Sequence, residues 1–288
     1  MHQISLWILL VFVSSCYCKI TIGAFNVQQF GCTKLKTEAV VNSLVKVIYE
    51  YDIVLIQEIL MKDDLFKSFV EKNVNQNLPI KIYDYKLSEP LGPGSHKERY
   101  GFIYRTDTVQ ITNVYQYDDS IQFSRPPYCV EVQELPKAAY LRKQLDKFWM
   151  VGIHTRPGNT ICELQKLEDV YKAMGSPNRV VFLGDFNADC TYFEKYDEKK
   201  IPFLFLRSKS GMNMLPFKNN AKTNVKGTCT YDRIVVSQSV FEEVQGKQAE
   251  VGTFDKVPTG NHEAVSDHFP IKMTLQGSAK GCRTAICE

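Results

Sequence analysis

Beyond residue 18 the chain has no apolar run long enough to cross a bilayer. It also lacks low-complexity tracts, internal repeats of solenoid length and any Pro-, Gly- or Ser-rich linker, which excludes a repeat array and favours one compact domain. Neither sign of charge dominates: 35 Lys and Arg against 32 Asp and Glu leave a formal charge of only +3. That balance permits a polyanionic partner without demanding one. No Cys-x-x-Cys pair or Cys/His grouping has zinc-site spacing. Nothing marks a Ser or Cys as an activated nucleophile.

What is present suits a globular protein. The 288 residues, 44% hydrophobic and 23% charged, are enough to bury a sizeable core. The first eighteen residues stand apart, because "ISLWILLVFV" followed by "SSCYC" reads as a secretory signal peptide, although a positively charged leading region is missing. A secreted chain beginning near Lys19 is therefore expected, with no membrane anchor. Of the nine cysteines, Cys16 and Cys18 leave with the signal, so seven remain. In an oxidising compartment disulfides are expected, and an odd count leaves at least one thiol free or paired between chains.

Periodicity alternates between strands and helices. "KITIGAFNV" alternates like a half-buried strand, residues 34–49 carry Leu35, Val41, Leu44, Val45 and Ile48 at helical spacing, and "YDIVLIQE" is a buried strand. A second strand, helix, strand unit follows in "FWMVGIHT", the stretch 162–174 and "VVFLGDFN". Further strand-like runs are "YGFIYR", "VQITNVYQY", "YCVEVQE", "YDRIVVS" and "FPIKMTL". Two halves of similar organisation suggest an α/β protein with two sheets packed face to face and helices outside.

The strands share a habit at their ends. "VVFLGDFNAD" runs from apolar chain into Asp185, Asn187 and Asp189, and other strands end at Asn26, at Gln57 and Glu58, and at His154. Asp232 precedes "RIVVS", and Asp267 with His268 precedes "FPIKMTL". Turn residues explain each case singly, since Gly, Asp and Asn end strands routinely. Six strand ends together point to one edge of the molecule, provided the last two strands run antiparallel to the first four. Carboxylates, amides and two imidazoles suit Mg²⁺ or Mn²⁺ rather than zinc, and a carboxylate behind a histidine raises its basicity. A metal with two such pairs is equipment for attacking a phosphodiester with water.

In this order the runs "AFNVQQFG", "YDIVLIQE", "SEPLG", "KERY", "YQYDD", "GIHT", "GDFNADC", "CTYDRIVV" and "SDHFP" resemble the secreted deoxyribonuclease I family, within the endonuclease/exonuclease/phosphatase superfamily. The likeness runs from about Lys19 to Leu275. It implies a four-layer α/β sandwich, two packed mixed sheets with helices outside. It divides the chain into a signal peptide (1–18), a catalytic domain (19–276) and a Cys-containing tail (277–288). Glu98 would pair with His154, and Asp232 with His268. Glu58, Asp185, Asp267 and Asn26 would hold Mg²⁺ or Mn²⁺ and the scissile phosphate, and Asn187 would donate to a phosphate oxygen. Arg99 and Arg125, with Lys97 and Arg156, are candidate phosphate contacts, and Cys190 is placed to bridge Cys229.

The implied activity is a secreted, metal-dependent endonuclease cutting DNA with little sequence preference. Alternatives are a phosphodiesterase of the same superfamily acting on another substrate, such as sphingomyelin or inositol phosphates, and a non-catalytic binding relative. Actin enters as a partner by resemblance alone. Three family contacts to DNA are altered: Leu60 and Gln28 stand where arginines are usual, and His96 replaces a tyrosine. Of the calcium ligands only Asp119 is kept, so a Ca²⁺ requirement is left open.

Overall fold

The structure, a computed structural model, describes residues 19–76, 78–95, 97–136, 144–205, 211–254 and 262–277. Apolar residues in its long strands sort by parity into different layers. In β1 (Ile20–Phe30), Ile20, Ile22 and Ala24 enter one apolar layer and Phe25 and Val27 another, and the irregularity between Asn26 and Phe30, with left-handed Gln28 and Gln29, turns Phe30 to that second layer as well. In β2 (Ile53–Ile59), Ile53 and Leu55 join the first layer, Val54 and Ile56 the second. Successive side chains of a strand point to opposite faces, so a strand covered on both sides reads as one continuous apolar run.

The remaining strands are β3 (Tyr83–Leu87), β4 (Arg99–Arg105), β5 (Val109–Gln116), β6 (Tyr128–Glu134), β7 (Phe148–His154), β8 (Val180–Asp185), β9 (Met212–Met214), β10 (Asp232–Ser237), β11 (Glu250–Val251) and β12 (Ile271–Leu275). One sheet is ordered β11-β12-β1-β2-β4-β3, the other β5-β6-β7-β8-β10-β9. At the centre of each lies a parallel pair, β1 with β2 and β7 with β8, flanked by antiparallel neighbours. β10 and β12 thus run opposite to β8 and β1, which brings their beginnings to the end where the parallel strands finish.

One apolar layer fills the gap between the sheets, drawing Ile22, Leu55 and Phe102 from the first and Met150, Leu183 and Ile234 from the second. Outside the first sheet lie α1 (Cys32–Leu35), α2 (Glu38–Ile48) and α3 (Asp63–Phe69). α2 buries Val40, Val41, Leu44, Val47 and Ile48, a single face at helical spacing. Outside the second sheet, α4 (Thr160–Gln165) and α5 (Leu167–Ala173) bury Leu164, Leu167 and Val170. Helix, sheet, sheet and helix make the four-layer α/β sandwich.

Two helices differ from the sequence reading. The span 34–49 is broken at Lys36, and Thr37, in extended backbone at φ −102°, starts α2. The span 162–174 is divided at Lys166 into α4 and α5. Strands β3, β9 and β11 carry no sequence signal because they are short and none has an apolar run: "YDYKL", "MNM" and "EV". The signal peptide, Cys282 and Cys287 lie outside the described residues. Among the described residues no helix is long and apolar enough to cross a membrane.

Candidate active site

The inter-sheet layer ends where polar side chains continue its parity. Ile22 and Ala24 are followed on that face by Asn26, Ile53 and Leu55 by Gln57, Phe148 and Met150 by Gly152 and His154, and Val181 and Leu183 by Asp185. From the antiparallel direction, Asp232 precedes Ile234 and Val236, and Glu98 precedes Tyr100 and Phe102. Register aligns them: Asn26 pairs with Gln57, and Asp185 lies between His154 and Asp232. Six strands of two sheets therefore present polar groups into one end of one gap.

The bonds made there cross from sheet to sheet. Fully buried Gln57 donates to Ile153 O at 2.7 Å and accepts from Asp185 N–H at 3.2 Å. Asn26 Nδ2 donates to Asp185 Oδ2 at 3.2 Å. Glu98 Oε2 and His154 Nδ1 share a hydrogen bond of 3.0 Å, and Asp232 Oδ2 and His268 Nδ1 share one of 2.8 Å. Both imidazoles then point their Nε2 atoms at one oxygen, Asp185 Oδ2, each from 3.6 Å. Ser266 Oγ donates to Asn26 O at 2.6 Å and accepts from His268 N–H at 3.0 Å, fixing the loop before β12. The glycine of "LGDFN" is explained by the same crowding. At Gly184, φ is +129°, and a Cβ would stand 2.3 Å from Ile153 O and 3.0 Å from the Gln57 amide.

Electrostatics follow from burial and these pairings. Burial disfavours an imidazolium at His268, but Asp232, Asp185 and Asp267 outweigh it and push its pKa up to about 10. Burial raises Asp232 against the pull of His268. At Asp185 burial acts upward too, yet the two histidines hold it below the usual carboxylate range. Glu98 is likewise kept low against its own burial by the His154 hydrogen bond and by Arg125.

A second group of acids borders the histidines. Glu58 has φ +58° and accepts from Gln29 N–H at 2.8 Å, while Gln28, Gln29 and Asn187 also occupy the left-handed region. Such backbone costs about 1–3 kcal/mol per residue and collects at functional sites. Asp267 Oδ1 is buried without a hydrogen-bond partner among the described residues, and burial raises the carboxyl's pKa. That oxygen lies 4.0 Å from His268 Nε2 without a hydrogen bond, and a hard cation between it, Glu58 and Asp185 would satisfy it. Donor atoms of Asp185, Asp232 and His268 also lie within 4.8 Å of one another. In that group Asp232 and His268 already hydrogen-bond each other, whereas Asp267 Oδ1 has no hydrogen bond among the described residues and feels the charges of Glu58 and Asp185.

Other expected residues are held by the protein. Arg125 donates to Glu98 Oε1 at 3.2 Å, His154 O at 3.1 Å and Thr155 O at 2.9 Å. Arg99 lies 2.6 Å from Asp63 and donates to Ser88 O. Both are the expected candidate phosphate contacts, and in the structure these partners fix where each guanidinium stands. Asn187 Nδ2 donates to Thr155 O at 3.0 Å, and its N–H donates to Asp185 Oδ1 at 2.9 Å. Cys190 and Cys229 form a disulfide, while Cys32, Cys129 and Cys162 are free. Asp119 caps its own loop by accepting from Ile121 and Gln122 N–H groups. Leu60 is 47% exposed, and His96 lies outside the described residues.

The sequence reading missed Lys34. Its ammonium donates to Val27 O at 2.5 Å and Val265 O at 2.6 Å, joining the exit of β1 to the loop before β12. Burial lowers its pKa to about 8, against the attraction of Asp267 and Glu58. Because its partners are backbone carbonyls, no side-chain spacing could have revealed it.

The fold is that of the Endonuclease/Exonuclease/phosphatase family, whose model matches residues 23–268. A family protein of Bacteroides thetaiotaomicron is similar with a TM-score of 0.60 at 18% identity, over 89% of this chain and 97% of its own. D. rerio TDP2 complexed with single strand DNA product gives 0.62 at 15% identity, over 90% and 99%. Deoxyribonuclease-1 of Gallus gallus is 36% identical over 273 residues, 89% of this chain and 92% of the relative. The protein of the same name from Bos taurus is 34% identical over 270 residues with the same coverage. This chain belongs to the deoxyribonuclease I family within that superfamily.

Proposed function

We propose that the protein is a secreted, divalent-metal-dependent endonuclease that hydrolyses DNA phosphodiester bonds with little sequence preference. One observation carries the reading: two His–carboxylate pairs, Glu98–His154 and Asp232–His268, converge with both Nε2 atoms on Asp185 Oδ2. A binding protein has no use for two oriented proton carriers in one cleft. Relatives named Deoxyribonuclease-1 supply the substrate class.

Glu98 and Asp232 fix the tautomer and orientation of their histidines, leaving each Nε2 to exchange a proton. One pair takes the proton of the attacking water, and the other returns one to the leaving oxygen. Asn26 and Asn187 hold the Asp185 carboxylate from both sides. Mg²⁺ or Mn²⁺, held by Glu58, Asp185 and Asp267 with Asn26, would neutralise charge developing on the phosphate oxygens. Contacts to phosphate rather than base edges position a duplex without reading it. Secretion is supported by the Cys190–Cys229 disulfide, since such bonds persist in oxidising compartments.

The test incubates purified residues 19–288 with supercoiled plasmid and Mg²⁺, with and without chelator. Nicked and linear products that vanish in chelator are expected. Intact plasmid with Mg²⁺ or Mn²⁺ refutes the proposal.

A further inference from the structure

At its active-site end β7 outruns one of its neighbours. β6 pairs with β7 from Val132 opposite Phe148 to Tyr128 opposite Gly152, and the strand then stops, two residues short of His154. On the other side Thr155 N–H bonds to Asp185 O of β8 at 3.1 Å. Amide directions alternate along a strand, so the His154 N–H points away from β8, to the side where β6 has ended. Its acceptor comes from the other sheet. The Tyr100 hydroxyl, in β4, accepts from His154 N–H at 2.8 Å and donates to Arg125 O at 3.3 Å.

That hydroxyl is itself fixed. Tyr100 is buried in the layer between the sheets, its N–H donates to Ser88 Oγ at 2.9 Å, and Ser88 N–H donates to Tyr100 O at 2.9 Å. Burial pushes the phenol's pKa far up, so the proton needed for the second bond stays in place. Arg125 closes the ring by sending its guanidinium to Glu98 Oε1, His154 O and Thr155 O. Behind it, fully buried Glu163 accepts from Ser124 N–H at 3.1 Å and Arg156 N–H at 3.2 Å, the residues next to Arg125 and Thr155. His154 is thus held at its N–H, its carbonyl and its Nδ1.

We infer that Tyr100 is a positioning residue for His154: its hydroxyl fixes the backbone from which the imidazole reaches Glu98 on one side and Asp185 on the other. The kinetic consequence rests on the nuclease reading above. Tyr100 acts through His154, by way of the 3.0 Å bond to Glu98 and the 3.6 Å approach to Asp185 Oδ2. Without the phenol oxygen a buried N–H loses its acceptor, and the end of β7 relaxes toward another one. A shift of about 1 Å in a group that must transfer a proton is enough to cost about 10²-fold in rate. Tyr104 provides a control in the same strand, since its hydroxyl donates to Asp84 Oδ2 at 3.0 Å, at the end of β4 that pairs with the start of β2.

Tyr100→Phe and Tyr104→Phe each delete one oxygen and keep the ring. Proton NMR in chelator reads the Nδ1–H of His154 held by Glu98, assigned by its loss in His154→Ala. Tyr100→Phe is expected to broaden or remove that resonance while the Nδ1–H of His268 persists, and Tyr104→Phe to leave both. With Mg²⁺ and plasmid, Tyr100→Phe should lower kcat about 10- to 100-fold at nearly constant KM, and Tyr104→Phe should leave kcat unchanged. Ser88→Ala keeps the hydroxyl but frees the Tyr100 N–H; it should move both readouts in the same direction and replaces Tyr100→Phe if that variant does not fold. An unchanged His154 resonance with wild-type kcat, or equal losses of kcat in the two phenylalanine variants, overturns the positioning role. A wild-type protein that leaves plasmid intact overturns the nuclease reading instead, and the His154 resonance alone then decides whether Tyr100 holds it.

Discussion

Gln57→Leu is the substitution that tests most directly how the two sheets hold the site. Leucine nearly conserves volume but can neither donate to Ile153 O nor accept from Asp185 N–H, bonds of 2.7 and 3.2 Å in a fully buried gap. Each orphaned backbone group costs about 1–3 kcal/mol, so a loss of about 2–5 kcal/mol is expected. For a domain of this size that corresponds to a fall in Tm of roughly 5–15 °C. Urea unfolding followed by circular dichroism measures it. Gln57→Glu should be worse, because the carboxylate loses the donor and brings charge beside Asp185. Cleavage should drop mainly in kcat, since Asp185 is the oxygen on which both histidines converge. A loss below about 0.5 kcal/mol, with the native m-value, would mean that water replaces the amide. The view of Gln57 as the dry tie between the sheets would then be wrong.

Replacing His154 or His268 by Ala should lower plasmid cleavage by about 10²–10⁴-fold with the circular dichroism spectrum retained; near-normal rates would remove the proton-transfer roles. Glu58→Gln should weaken Mn²⁺ binding in calorimetry without loss of Tm, and unchanged binding would place the metal elsewhere. Glu98 has a folded pKa below its ordinary 4.5, so its contribution to stability is present above that value and lost as pH falls through the folded pKa. The stability gap between wild type and Glu98→Gln should accordingly shrink below about pH 4.5, and a gap that widens in acid would contradict the assignment. Leu60→Arg with Gln28→Arg should tighten duplex binding and steepen its salt dependence by about 0.9 log units per added phosphate contact. Loss of cleavage in that double variant would show a cleft shaped against closed duplex.

How far the site could be read in advance depended on the range of each interaction. Apolar runs, their ends and the residues at those ends are local features, and Asn26, Glu58, His154, Asp185, Asp232 and His268 were all visible as strand-end polar groups. The pairings were different. Glu98 and His154 are 56 residues apart and Asp232 and His268 are 36, and only likeness to a known family suggested these partners. Arg99 and Arg125 show the same limit, since nothing along the chain marks Asp63 or Glu98 as their partners. The left-handed backbone at Gln28, Gln29 and Glu58 was equally hidden, because none of these side chains favours it.

Local residue order sets the two strand, helix, strand units, the period-two alternation within the strands, and the point where apolar residues give out. Those are set by side-chain hydrophobicity within a few neighbouring residues. Which parity of each strand faces the other sheet is settled by long-range packing alone. That choice depends on where the helices pack: α2 and α3 claim Phe25, Val54 and Ile56, leaving Asn26 and Gln57 to the inter-sheet gap. On the far side α4 and α5 claim Phe182 and Ile153, leaving Asp185 and His154. Once both sheets commit their apolar faces to each other, the polar residues continuing those faces must meet at the end of the gap, where hydrogen bonds across it compensate their lost hydration.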